Sequence, residues 1–99
     1  MNAATLIALL QDLRANTPIY FEDGEHELWG IFSIASVTTN STHIIELRLQ
    51  RHRLKTYKVW EVIVLLQQAD PQTLVAVTHK KKRQLIFGIR LAGRQVYLK

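Results

Sequence analysis

The chain has no cysteine, and that absence removes disulfide scaffolds, thiolate-bound zinc, iron–sulfur clusters and thiol nucleophiles together. Proline and glycine are scarce, two and four residues in 99, which excludes collagenous and low-complexity chains. No apolar run approaches the roughly 18–20 residues that span a bilayer. The apolar start, Ala3 to Leu10, lacks the cationic lead-in and small-residue cleavage site of a signal peptide. Asn40-Ser41-Thr42, nominally a glycosylation acceptor, therefore reads as a polar turn. The glycines at 24, 30, 88 and 93 are too scattered for a phosphate loop, and Ser33, Ser36 and Ser41 have no GxSxG turn around them. His26, His43, His52 and His79 do not pair at helical metal-site spacing. The expectation is a non-catalytic cytoplasmic protein with no cofactor, no metal and no membrane partner.

What is present is an ordinary globular composition, 47% hydrophobic and 21% charged. A chain of this length buries roughly 65% of its unfolded surface, enough for one core, so residues 1–99 are expected as a single domain.

The sequence also repeats itself. Slid by 56 positions, Ala3, Leu6, Ile7, Leu10 and Leu13 fall on Val59, Val62, Ile63, Leu66 and Ala69. Both sets trace one stripe of an amphipathic helix. At the same shift Thr17 meets Thr73, and Ile19 and Phe21 meet Val75 and Val77, so each helix feeds a strand. The run Val59 to Leu66 is rich in β-branched residues, but its phase matches the first helix and Asp70-Pro71 gives it a stop. Polar turns follow, "EDGEHE" and "HKKKRQ", and then "LWGIFSI" lies on "IFGIRLA" with two residues inserted in the second copy. Short strands, "HIIELRL" and "RQVYLK", end the copies. Period-two alternation puts Trp29, Ile31, Phe87, Ile89 and Leu91 on the core face. An aromatic beside a glycine, as at Trp29-Gly30 and Phe87-Gly88, is also a conceivable base-stacking platform, though core packing is the plainer reading.

The fold expected is α+β: two pseudo-repeated helix-plus-three-strand units, residues 1–50 and 57–99, with both helices packed on a mostly antiparallel sheet around one core. A basic connector, 48–58, joins them, and its length also permits a parallel crossing between copies.

Charge divides along the same line. Residues 1–50 carry two Lys or Arg against six Asp or Glu, residues 51–99 eleven against two, and the chain is net +5. Glu22, Asp23, Glu25 and Glu27 crowd the first hairpin turn, and Lys80, Lys81, Lys82 and Arg83 the second. Arg51, Arg53, Lys55 and Lys58 add a third group in the connector. The eight cations form a candidate phosphate-binding footprint, giving a DNA- or RNA-binding module. The competing expectation is a protein-interaction or self-assembly module that uses the oppositely charged tips. Charged tips that only prevent edge-to-edge sticking are the third reading.

Two resemblances accompany these patterns. "TLIALLQDLRANTPIYFEDG" and "KVWEVIVLLQQADPQTLVAV" each resemble the opening of small uncharacterised bacteriophage and mobile-element proteins, which implies a small α+β fold and no activity. "PIYFEDGEHELWGI" and "TYKVWEVIV" resemble the Sm-like RNA-binding proteins, the Hfq family, which would imply RNA binding in a ring of subunits. From that family the chain departs by the long "SVTTNSTH" insertion and some forty further residues, and no pore residue is carried over.

Overall fold

In the computed structural model, residues 1–51 and 55–99 are described. Helix α1 spans Ala3–Leu10 and helix α2 Val59–Leu66. Asn2 caps α1 by accepting the Thr5 N–H at 2.8 Å, and the Glu61 carboxylate reaches back to the Lys58 N–H at 3.1 Å. Eight residues form no stable helix alone in water. Burial supplies what length cannot, because Ala3, Leu6 and Leu10 in one helix and Val59, Val62 and Leu66 in the other are almost wholly buried. The β-branched run is therefore a helix for the tertiary reason its spacing suggested. It stops at Leu66, short of Ala69, and Asp70 closes the following turn by accepting the Gln72 N–H.

The strands are β1 Ile19–Glu22, β2 Leu28–Thr39, β3 Thr42–Gln50, β4 Leu74–His79, β5 Lys82–Leu85, β6 Ile89–Ala92 and β7 Gln95–Leu98. They form one seven-stranded mixed sheet in the order β5-β4-β3-β2-β1-β7-β6. β3 runs parallel to β4 and β1 parallel to β7, while the other four pairings are antiparallel. The sheet curls because its two edge strands are consecutive in the chain, joined only by residues 86–88. Ile86 donates to the Val75 carbonyl of β4, and Phe87 donates to the carbonyl of Lys99 just past β7. Those three residues thus span the seam. Met1 secures it further, its ammonium donating to the Ile86 carbonyl at 2.6 Å.

Each helix start is tied to the opposite half of the chain. Ala3 and Ala4 donate to the carbonyls of Thr73 and Pro71, while Val59 and Trp60 donate to those of Thr17 and Ala15. Isolated bridges join Asn2 to Leu74 and Pro18 to Lys58. The core cluster likewise draws Leu6, Leu10, Ile19, Phe21, Ile31, Ile45 and Leu47 from one half and Val62, Leu66, Val75, Val77, Ile86, Val96 and Leu98 from the other.

Four of the six pairings are antiparallel, and the two parallel ones, β1 with β7 and β3 with β4, both join the two halves of the chain. Three expectations need correction. The sheet has seven strands rather than six. The extra strand is β5, which begins inside the basic run assigned to a turn. Lys80 and Lys81 alone make the reversal, with φ of 50° and 64°, and Lys82 and Arg83 already pair with His79 and Thr78. A charged edge strand fits that sequence, because cations there discourage edge pairing. Phe87 and Leu91 are not core residues, being 76% and 60% exposed. The alternation assumed an unbroken strand from 86, whereas the break at 86–88 puts Ile86 inside and Phe87 outside. Finally, Trp29 pairs with Phe21 while Gln84 pairs with Val77, so Gln84 rather than Phe87 stands where Trp29 stands.

Candidate nucleic-acid interface

The first hairpin turn is organised by one carboxylate. Asp23 Oδ1 accepts the N–H groups of Glu25 and Glu27, both at 2.9 Å, and Oδ2 accepts the Trp29 indole N–H at 3.1 Å. Burial pushes this carboxyl up, but the bonds from Trp29 and the Glu27 and Glu25 amides outweigh it and hold it below the ordinary aspartate range. The sequence supplies a short acceptor at the point where the chain leaves β1, and a four-residue excursion wraps around it.

Its neighbour Glu22 is also buried. Arg90 grips it with two bonds, Nε to Oε1 at 3.1 Å and Nη2 to Oε2 at 2.5 Å. Lys99 Nζ lies 3.6 Å and His26 Nδ1 3.4 Å from the same carboxylate. The Arg90 hydrogen bonds lower the Glu22 pKa to about 2, with help from His26 and Lys99 against a desolvation penalty. Two of the four expected acidic-tip residues are therefore internal fixtures, and Glu25 and Glu27 are the exposed pair.

The second turn sits against the first. His79, which ends β4, places Nε2 3.4 Å from Asp23 Oδ2, and its ring meets Trp29 edge-on at 4.9 Å and Phe21 at 6.0 Å. Beyond it, Lys80 Nζ is 3.8 Å from Glu25 Oε1. Arg83 turns to the outer sheet face, where it donates to Glu46 at 3.1 Å and to the Thr39 hydroxyl at 3.0 Å. Thr78 donates to the same Glu46 oxygen at 2.8 Å. That hydroxyl, followed by Arg83 and Arg48, keeps Glu46 ionised below its ordinary range despite partial desolvation.

Lys81 and Lys82 differ from their neighbours: both are exposed, and neither has a carboxylate within ion-pair distance among the described residues. Arg51, also exposed, holds its guanidinium 5.4 Å from the Trp29 ring centroid, at cation–π distance. Because Trp29 touches His79, Arg51 joins the tip formed by the two turns.

The rest of the expected footprint is not all gathered there. Lys58 bridges Pro18, before the start of β1, whereas Glu22 and Asp23 lie at its far end. Lys55 is exposed and its carbonyl accepts the Gln50 amide at 2.6 Å. Arg53 lies outside the described residues. The sequence reading missed His79, Arg90 and Lys99, which hold the two buried acids. Only His79 carried a signal, standing directly before the basic run.

Among the described residues no group of three or more His, Asp or Glu is placed to hold a metal, and no helix is long and apolar enough to cross a membrane. Comparison with protein-family models, with curated proteins and with solved structures finds no match.

Proposed function

We propose that this protein is a non-catalytic binding module that holds nucleic acid by its phosphates, with Lys81, Lys82 and Arg51 as the principal contacts. One observation carries the reading. In a run of four cations, Lys80 and Arg83 face carboxylates of the same molecule while Lys81 and Lys82 face solvent. Charge left uncompensated where the turn runs into edge strand β5 serves an external anion better than the fold. Lys80, Arg83 and the more distant Lys55 and Lys58 contribute to the surrounding field and to encounter rather than to direct contact. Contacts of this kind position a polymer without reading its sequence.

The competing module, built on opposed acidic and basic tips, is less well supported, because Glu22 and Asp23 are buried and Lys80 already faces Glu25.

The reading includes duplication of one helix-and-strand unit. In its support, the ties from Ala3 to Thr73 and Val59 to Thr17 exchange under a shift of 56, as do those from Ala4 to Pro71 and Trp60 to Ala15. The bridges Asn2–Leu74 and Pro18–Lys58 exchange under the same shift. Under a shift of 55, β2 corresponds to β5 and β6 taken together. Its irregularity between Ile31 and Ser33 then matches the break at 86–88, and the exposed Phe32 matches Phe87.

A salt titration of binding to random-sequence oligonucleotides tests the proposal. Affinity is expected to fall linearly in log salt, with a slope of roughly 0.9 per neutralised phosphate on duplex and about 0.7 on a single strand. Changing Lys81 and Lys82 to Ala together should flatten that slope by about two contacts. Absence of binding at low salt would overturn the proposal.

A further inference from the structure

We infer that Phe87 is a stacking platform for an unpaired base, so that the polymer bound is single-stranded; this rests on the nucleic-acid reading above. Three features converge on the ring. It is the most exposed large apolar side chain among the described residues, at 76%, and sits in the break between β5 and β6 rather than within a strand. The residue after it is Gly88, which adds no side chain, and where even an added Cβ would meet nothing within 4 Å outside its chain neighbours. The ring also lines a cavity of about 260 Å³ with Gln84, His26, Lys99 and the buried Glu22.

That volume is below the roughly 300 Å³ at which small-molecule sites begin. It suits one planar group presented by a longer ligand. Around it Arg90 and Lys99, both on Glu22, offset the carboxylates of Glu22 and Asp23, so the attraction for an anionic ligand comes from Lys81 and Lys82 nearby. The same cavity is walled by Asp23 and Gly24 of the first turn, and that turn carries the Glu25–Lys80 contact leading to Lys81 and Lys82. An apolar ring near unpaired lysines is the pairing that single-strand binders use: bases stack and phosphates follow the charge. A duplex keeps its base faces stacked inside and offers the ring nothing comparable.

The test compares a labelled oligothymidylate with a random-sequence duplex of equal length by fluorescence anisotropy, at low salt and with the full chain. Phe87→Ala should weaken the single strand about tenfold and leave the duplex unchanged, with its thermal unfolding also unchanged because the ring is outside the core. Phe87→Trp should restore single-strand affinity, and its added fluorescence should be quenched by the oligonucleotide. Single-strand affinity unaffected by Phe87→Ala, or equal loss on both polymers, would overturn the stacking role while leaving the phosphate contacts standing. If the native chain binds neither polymer, both readings fail. Should light scattering reveal a dimer that Phe87→Ala dissolves, the ring belongs to a self-contact and the stacking role is likewise overturned.

Discussion

The two charged hairpin turns, opposite in sign and 56 residues apart in the chain, meet at one end of the molecule and are built on different principles. The β1–β2 turn is wound around a buried acceptor: Asp23 holds two backbone amides and an indole, and the acids beyond it, Glu25 and Glu27, give it their amides and keep their side chains exposed. Among the described residues the β4–β5 turn has no such centre, and its reversal is made by two lysines in left-handed conformation. Four like charges in a short sequence therefore mean different things at the two sites. In the first turn half are structural, whereas in the second the outer two are engaged and the inner two have no carboxylate in ion-pair reach among the described residues. Formal charge per segment overstates available charge wherever the fold has found internal partners.

Removing the centre of the first turn is the most severe way to break this comparison. Asp23→Ala strands a half-buried indole N–H and unties two turn amides, and is expected to cost about 3 kcal/mol in urea unfolding, given the magnitude of charge-assisted bonds. Asp23→Asn keeps an acceptor and should cost clearly less. An equal loss in both variants would mean that charge opposite His79, rather than hydrogen bonding, holds the turn.

Acid tests the neighbouring carboxylate. Glu22 has a folded-state pKa of about 2, and Asp23 and Glu46 are also lowered. A depressed carboxylate contributes stability that is full above its unfolded pKa, near 4.3 for glutamate, and is lost as pH falls toward the folded value. The melting temperature should therefore decline from about pH 4.5 down to about pH 2. Glu22→Gln should melt lower at neutral pH and show a shallower acid limb, converging on the native chain near the bottom of that window. Parallel curves would show that the contacts to Arg90 and Lys99 do not stabilise the fold.

Much of this architecture was legible because it rests on periodicity. The stripe Val59, Val62, Leu66 identified a helix despite its β-branched composition, and Ile19 and Phe21 lie in a strand as Val75 and Val77 do, in the register the shift of 56 implied. Phe87 escaped because alternation carries phase only along an unbroken strand, and the break at 86–88 is made by tertiary bonds to Val75 and Lys99; Leu91 keeps the phase of Ile89 but lies on edge strand β6 and stays exposed. The partnering of the cations was hidden for a similar reason. Glu46 lies 37 residues from Arg83, and only the parallel pairing of β3 with β4 and the return of β5 bring them together. Local sequence reports which residues are charged, while topology decides which charges remain free.

A milder change separates binding from folding in the second turn. Left-handed φ at two successive central residues is the geometry that Asn-Gly favours in two-residue hairpins, and lysine adopts it at a cost. Lys80→Asn with Lys81→Gly should stabilise the protein by about 1 kcal/mol, raising the melting temperature by about 5 °C. The Lys80–Glu25 contact it removes is exposed and worth little. The same double variant should weaken oligonucleotide binding. Stability and affinity moving in the same direction would contradict the division of labour assigned to this turn.

The smallest expected effect comes from the reversal that lacks cations. Asn40 and Ser41 join β2 to β3 with φ of 50° and 65°, nearly the values at Lys80 and Lys81, and Thr39 pairs with Thr42 across them. Ser41→Gly relieves one of the two left-handed residues and should add somewhat under 1 kcal/mol. Because neither residue is a cation, oligonucleotide affinity and its salt dependence should not move. A gain in stability here with unchanged binding, set beside the opposed changes at Lys80 and Lys81, would show that backbone strain is common to both turns and that free cations distinguish only one. A loss of affinity in Ser41→Gly would instead extend the binding surface to the β2–β3 tip, on which Thr39 already anchors Arg83.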